Sequence, residues 1–206
     1  LVLSRRALGE EIGDPLYNLA VVVDDNFMNI THVIRGEDHI SNTAFHIQLF
    51  QALESRSPSF AHHPFLTDQQ GKGFGKRIGS LSIENLQTEG YENITILNYL
   101  INIGSSKDIT PDTILDDVLE NFDIKNISNS SAKFSDTVLK SLNSDVLKNY
   151  NFEQVQKKIK IKNEKVDLKK LWIFSQNNII FLDDINNWSK IINTTIDLKK
   201  YNISEM

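Results

Sequence analysis

Arg35-Gly36-Glu37-Asp38-His39 lies between a segment that reads as a strand and one that reads as a helix. Open α/β sheets bind their ligands at such strand-to-helix corners, beyond the carboxyl ends of the strands. An arginine there can grip a carboxylate with two parallel N–H bonds. Asp38 and His39, close to the helix start, can face a nucleotide. An ordinary helix cap with surface ion pairs would use the same residue types, and spacing leaves both readings open. A second cluster, Gly71-Lys72-Gly73-Phe74-Gly75-Lys76-Arg77, combines three glycines with three cations. Small residues let backbone N–H groups approach phosphates, and lysine adds mobile positive charge. It is not a P-loop, because Arg77 stands where that motif needs Ser or Thr. A basic hairpin tip remains the alternative. Lysine outnumbers arginine 17 to 5 and Asn occurs 21 times, so single Lys or Asn residues carry little information. The five arginines, all within the first 80 residues, carry more.

Other chemistries find less support. The chain has no cysteine, so disulfides and thiolate zinc sites are ruled out. His62 and His63 are adjacent, too close-set to share a metal, and no helix-spaced His pair or carboxylate cluster occurs; no metal site is expected. No Ser-His-Asp arrangement can be argued. The net charge of −5 speaks against a generally basic nucleic-acid binder. Its distribution is uneven, however. From Lys148 to Lys170 eight lysines, including Lys157, Lys158, Lys160 and Lys162, face only Glu153, Glu164 and Asp167. Such a local excess can serve a phosphate backbone, but charge alone favours a solvated helix face.

The elements that must position these residues fall into two kinds. Residues 16–23 form a β-branched run of buried-strand length. Asp24-Asp25-Asn26 is turn chemistry, and residues 27–34 suit a hairpin partner. Ser41 is expected to cap a helix running to about Glu54, with Phe45, Leu49, Phe50 and Leu53 at helical spacing. Another strand is expected over 60–66. Beyond residue 80 the pattern turns helical. Ile94, Ile96, Leu97, Leu100 and Ile101 form an apolar face that stops near Gly104. Thr110-Pro111-Asp112 is expected to open the next helix, Ser135 a third, and 151–161, 166–176 and 183–192 three more. Apolar residues at 40% and charged residues at 24% are ordinary for a soluble globular chain. No apolar run approaches the ~20 residues of a membrane helix. The fold class expected is α/β followed by all-α.

Taken together, Tyr17-Asn-Leu-Ala-Val-Val-Val-Asp-Asp25, Ile30-Thr-His-Val-Ile-Arg-Gly-Glu-Asp-His-Ile-Ser-Asn-Thr43, Phe60-Ala-His-His-Pro-Phe-Leu66 and Gly71-Lys-Gly-Phe-Gly-Lys-Arg-Ile-Gly79 strongly resemble the glutamyl-tRNA synthetase catalytic domain, in order and spacing. The last of these matches the segment carrying the class I K-M-S-K-R signature. Gly90-Tyr91, Leu97-Asn-Tyr-Leu100 and Ala132-Lys-Phe-Ser135 resemble the family's stem-contact region. Trp172, Asn178, Leu182-Asp-Asp184 and Trp188 are similar to the start of its helical anticodon-binding domain. The resemblance implies the C-terminal half of a Rossmann-type class I catalytic domain over 1–80, a helical stem-contact region over 81–150, and the start of an anticodon-binding domain over 151–206.

The resemblance also implies roles. Tyr17 and Arg35 match glutamate-site positions, Arg35 pairing with a substrate carboxylate. Asp38, His39 and Lys76 match positions near ATP, and Lys76 and Arg77 the catalytic signature, where Lys76 would stabilise charge developing on the phosphates. Asp25 matches a position near the tRNA 3′ end, and Lys157, Lys158, Lys160 and Lys162 would meet the tRNA backbone. ATP with Mg²⁺, glutamate and tRNA-Glu are the implied substrates, acting on a cytoplasmic monomer. Four departures stand out. Gly73 replaces the signature's first lysine, Gly75 its serine and Ile78 the usual following histidine; and no H-I-G-H motif is present. The chain starts without Met, as though entered in mid-domain, and is expected to be inactive in adenylation alone. A non-catalytic tRNA-binding module derived from such an enzyme is the alternative. The shorter glutamyl-queuosine synthetase type fits less well, because helices follow residue 150.

Overall fold

A computed structural model describes residues 2–5, 13–73, 82–161 and 166–193. The chain divides into two compact units. The first comprises 1–66 with 128–132, and the second 67–127 with 133–206.

The first unit is built on one βαβ crossover. Strand β1 (His32–Gly36) runs parallel to β2 (Ser59–His63), in a register that opposes Arg35 to His62 and Gly36 to His63. A 3-10 turn over Glu37–His39 leads from β1 straight into helix α2 (Ile40–Ala52), which carries the chain back. This continuous turn places Ser41 inside the first helical turn, so it does not act as the cap, and no side-chain cap bond forms there. The helix closes at Glu54, whose φ of 51° is left-handed. Helix α1 (Tyr17–Phe27) packs beside α2.

Helix α1 overturns the strand expected over 16–23, and with it the hairpin. Of the three consecutive valines, Val22 is wholly buried whereas Val23 is 45% exposed. Burial of one helical stripe against α2, where Phe50 is also buried, outranks the β preference of a branched run. Asp24, Asp25 and Asn26 continue the helix instead of turning the chain. With that partner gone, β1 pairs with β2, as a helical crossover requires of parallel strands.

The second unit is helical: α3 (Ile83–Glu89), α4 (Asn93–Asn102), α5 (Leu115–Asn121), α6 (Asp136–Asn149), α7 (Phe152–Val155), α8 (Leu168–Ser175) and α9 (Ile185–Asn193). Its core gathers Tyr91, Ile96 and Tyr99 with Leu139, Leu142, Val146 and Leu147 of α6, and with Leu171, Trp172 and Ile185. Ser135 caps α6 by accepting the Val138 N–H, as expected. Asn151 and Gln154 form a reciprocal capping box on α7. That helix is shorter than the span 151–161 suggested: the chain turns at 156–158 and brings Ile159 into the core.

The start expected at Thr110-Pro111-Asp112 also shifts, to Leu115. Its polar groups are engaged elsewhere. Thr110 Oγ1 donates to Asp112 Oδ2 at 2.7 Å and Asn121 Nδ2 to the same oxygen at 3.1 Å, while the Asp112 carbonyl accepts from Asn98 Nδ2. The Pro111 carbonyl accepts from Asn149. These bonds hold 110–112 ahead of the helix, whose N-cap is Ile114 and carries no side-chain cap bond.

Candidate functional site

The carboxyl end of β1 carries Arg35, and the turn and α2 surround it with polar groups. Nη2 donates to Thr43 Oγ1 at 2.8 Å and to the His39 carbonyl at 3.4 Å. Nη1 donates to His46 Nδ1 at 3.2 Å. The guanidinium carbon stands 5.3 Å from the Phe60 ring centre, a cation–π arrangement supplied by β2. The buried Nε–H has no partner among the described residues. No carboxylate among them forms an ion pair with this cation. A part-buried guanidinium held in place, with a donor unspent and its charge unpaired, is arranged for an anionic ligand.

The surrounding network is saturated by its own logic. Thr43 Oγ1 donates its one proton to the His39 carbonyl at 3.2 Å, so it accepts from Arg35 and from His62 Nε2 at 3.0 Å. Since His46 Nδ1 accepts from Arg35, its Nε2 carries the proton and donates to Asn18 Oδ1 at 2.9 Å. Burial, then the positive Arg35, then His39 lower the His46 pKa and keep the ring neutral. His39 Nδ1 accepts from Asn42 at 3.2 Å and from the Tyr17 hydroxyl at 3.4 Å. The Tyr17 ring is tilted against both His39 and His46, with centres 5.6 and 6.0 Å away.

Among the residues singled out by sequence, Tyr17, Arg35 and His39 come together here, and Asp38 adjoins His39 at 3.7 Å. A Cβ at Gly36 would meet Asp38 Oδ1 at 2.5 Å, so a side chain there would displace the Asp38 carboxylate. Asp25 lies elsewhere, in a pocket of about 420 Å³ at the amino ends of the strands, lined also by Asn29, Thr31, His32, Arg56 and Ser59. Burial raises the Asp25 pKa, opposed by the charge of Arg35. Lys76, Arg77 and Lys162 lie outside the described residues. The segment leading to the glycine-rich loop is a tight turn: Asp68 Oδ1 accepts the N–H groups of Gln70 and Lys72, and Gly71 takes a φ of 84° that favours glycine.

The lysine cluster is divided. Lys157 and Lys160 are exposed. Lys158 bonds Glu92 Oε2 at 2.5 Å and lies 5.2 Å from the Tyr150 ring centre. Among the described residues, no group of three or more His, Asp or Glu is placed to hold a metal ion, and no helix is long and apolar enough to cross a membrane.

Sequence reasoning missed Asn18, Asn42, Thr43, His46, Phe60 and His62. A signal was available. His39, Asn42, Thr43 and His46 recur at i, i+3, i+4 and i+7, a polar stripe on one helical face. The apolar spacing of Phe45, Leu49 and Leu53 drew attention to another face, and Phe45 and Leu53 are 38% and 43% exposed.

A parallel βαβ unit with a ligand-ready arginine at its carboxyl edge, followed by a helical unit, has the form of a class I synthetase catalytic fold. The family model for class I tRNA synthetases (E and Q), catalytic domain, matches residues 3–141; the chain belongs to this family. A glutamate–tRNA ligase of Prochlorococcus marinus (strain MIT 9312) is 50% identical over 151 residues, 72% of this chain and 32% of that protein. A second, from Prochlorococcus marinus subsp. pastoris, is 42% identical over 211 residues, 97% of this chain and 44% of its own. The glutamate tRNA ligase of Elizabethkingia meningosepticum, solved in complex with its amino acid, superposes with a TM-score of 0.74 at 24% identity, over 96% of this chain and 46% of that one. The chain thus spans between a third and a half of the length of these relatives.

Proposed function

We propose that this chain is part of a glutamate–tRNA ligase, and that Arg35 holds a carboxylate of glutamate. The observation that carries this reading is the Arg35 guanidinium itself, fixed by Thr43, His39 and His46, with its buried Nε–H unpartnered among the described residues. The relatives' names agree with it. Tyr17 lines the same site. Asp38 and His39 would stand near ATP, which enters with Mg²⁺ as substrate, and Lys76 with Arg77 would stabilise the phosphates as glutamyl-adenylate forms. Asp25 would approach the 3′ end of tRNA-Glu. Lys157, Lys160 and Lys162 would follow its backbone, while Lys158 is held by Glu92. Segments 1–80, 81–150 and 151–206 would serve as catalytic, stem-contact and anticodon-domain parts of a cytoplasmic monomer. The 206 residues alone would not catalyse glutamate-dependent ATP–pyrophosphate exchange.

The test uses the full-length ligase. Arg35→Ala removes a charge-assisted contact, which costs about 2–5 kcal/mol, and should raise KM for glutamate by roughly 30-fold or more while KM for ATP holds. Arg35→Lys keeps the charge without the planar fork and should recover only part of the loss. Unchanged glutamate KM in a folded Arg35→Ala protein would remove the reading.

A further inference from the structure

We propose that His46 is a positioning residue that aims Arg35 without discharging it: a neutral acceptor, locked by Asn18, which orients the guanidinium for an incoming carboxylate. The inference rests on the reading of Arg35 as the carboxylate-binding group.

A guanidinium needs acceptors to fix its plane, and in most proteins a carboxylate supplies them. Such an acceptor would cancel the charge and compete with the substrate. Around Arg35 every acceptor among the described residues is neutral: the His39 carbonyl, Thr43 Oγ1 and His46 Nδ1. His46 is the only ring among these three, and it is 1% exposed. It can accept from Arg35 in just one tautomer, and Asn18 Oδ1 selects that tautomer by receiving the Nε2–H at 2.9 Å. Asn18, one residue beyond Tyr17 on α1, thereby ties the first helix to the arginine through a single ring. The Phe60 ring beside the guanidinium and the Tyr17 ring beside His46 limit movement of both groups. Nε–H has no partner among the described residues. The arrangement holds the cation in place and leaves its charge for the ligand.

Three substitutions separate positioning from packing. In the full-length ligase, His46→Gln offers a neutral acceptor to Arg35 and a donor to Asn18, and should keep KM for glutamate within about threefold of the parent. His46→Asp should form an internal ion pair with Arg35 and raise that KM by roughly a hundredfold, with KM for ATP unchanged. His46→Leu, apolar and without an acceptor, should fall between them. A packing role alone would instead rank the three by stability, read from thermal melts, and would not distinguish Gln from Asp by charge. Arg35→Ala serves as the reference. If it raises glutamate KM while His46→Asp and His46→Gln behave alike, the His46 inference fails and the Arg35 reading stands. If Arg35→Ala has no effect, both fail. Ring ¹⁵N shifts of His46 in the parent full-length ligase give a measurement independent of any variant's folding. The Nε2–H tautomer is expected, and Nδ1–H would overturn the proposal.

Discussion

Arg35 in the βαβ unit and Glu92 in the helical unit are both charged side chains drawn off the surface, and their neighbours treat them in opposite ways. The Glu92 side chain is 12% exposed, and its Oε2 accepts from the Tyr150 hydroxyl at 3.1 Å and from the Lys158 ammonium. Its backbone N–H is taken by Asn143 Oδ1 at 2.9 Å. Every charge there is answered from within the fold. Arg35 is oriented by neutral groups, keeps its charge, and retains a buried donor without a partner among the described residues. A buried charge that is fully compensated supports structure, whereas one that is only oriented awaits a ligand. Residue type does not distinguish the two; the chemistry of the neighbours does.

The largest expected effect breaks the structural member. Asn143 is wholly buried and bridges the Glu92 N–H and the Ile180 carbonyl, the latter at 2.6 Å. Asn143→Ala strands both, and should lower unfolding free energy by about 2–4 kcal/mol. Arg35→Met removes an unpaired charge but strands the buried His46 Nδ1 acceptor, so its loss should be smaller, about 1–2 kcal/mol. Urea titration of both variants checks the pair. Equal losses would erase the distinction between the two regions.

A smaller effect is expected at Glu92 itself. Glu92→Gln keeps an acceptor for Tyr150 and loses only the attraction to Lys158, whose side chain is 48% exposed; the expected loss is about 0.5–1 kcal/mol. Glu92→Leu also strands the Tyr150 hydroxyl, whose pKa is raised by burial and then by Glu92. It should cost about 1–3 kcal/mol. Midpoints of thermal unfolding, compared at one pH, would rank the two.

The site has its own signature with pH. The His46 pKa is lowered in the folded protein, first by burial and then by Arg35 and His39. Between the folded and unfolded values the unfolded chain binds the extra proton, so stability rises with pH across that window. Stability should therefore be full above the unfolded histidine value of about 6.5 and fall as pH drops toward the folded value. In His46→Gln this component should vanish. An identical pH profile in parent and variant would mean that His46 titrates as it does unfolded.

Much of this was legible in the sequence, and the failures share a cause. Ser135 as the cap of α6 and the stop near Gly104 (φ 79°) rest on local geometry, and both hold. The corner at Arg35 was found because a strand end, a glycine and a charged triplet coincide there. The valine run was misread because its helix buries one stripe and packs against α2, an element later in the chain. Thr110-Pro111-Asp112 was misread because Asn98, Asn121 and Asn149 engage its polar groups from elsewhere in the unit. His46 escaped notice because its meaning comes from Arg35 and Asn18 together, residues on two other elements. Local signals survive in a sequence, but the neighbours that convert a residue type into a role do not.

The smallest expected effect sharpens the comparison inside the lysine cluster, where both treatments of charge occur within four residues. Lys158 is paired with Glu92 and lies over Tyr150, whereas Lys157 and Lys160 are exposed and carry no ion pair among the described residues. If the cluster meets a tRNA backbone, the exposed pair should carry the salt-sensitive contacts. Each phosphate contact contributes roughly 0.7–0.9 to the slope of log K against log salt. Changing Lys157 and Lys160 to Gln should thus flatten the slope for tRNA-Glu by about 1.4–1.8 if both touch phosphate. Lys158→Gln should leave the slope nearly unchanged and lower thermal stability instead, because its charge is spent on Glu92. Filter binding at several salt concentrations, with a melt of each variant, separates the two outcomes. A slope that responds to Lys158 as strongly as to its neighbours would show that Glu92 releases it to the RNA. No change from any of the three would make this stretch a solvated surface.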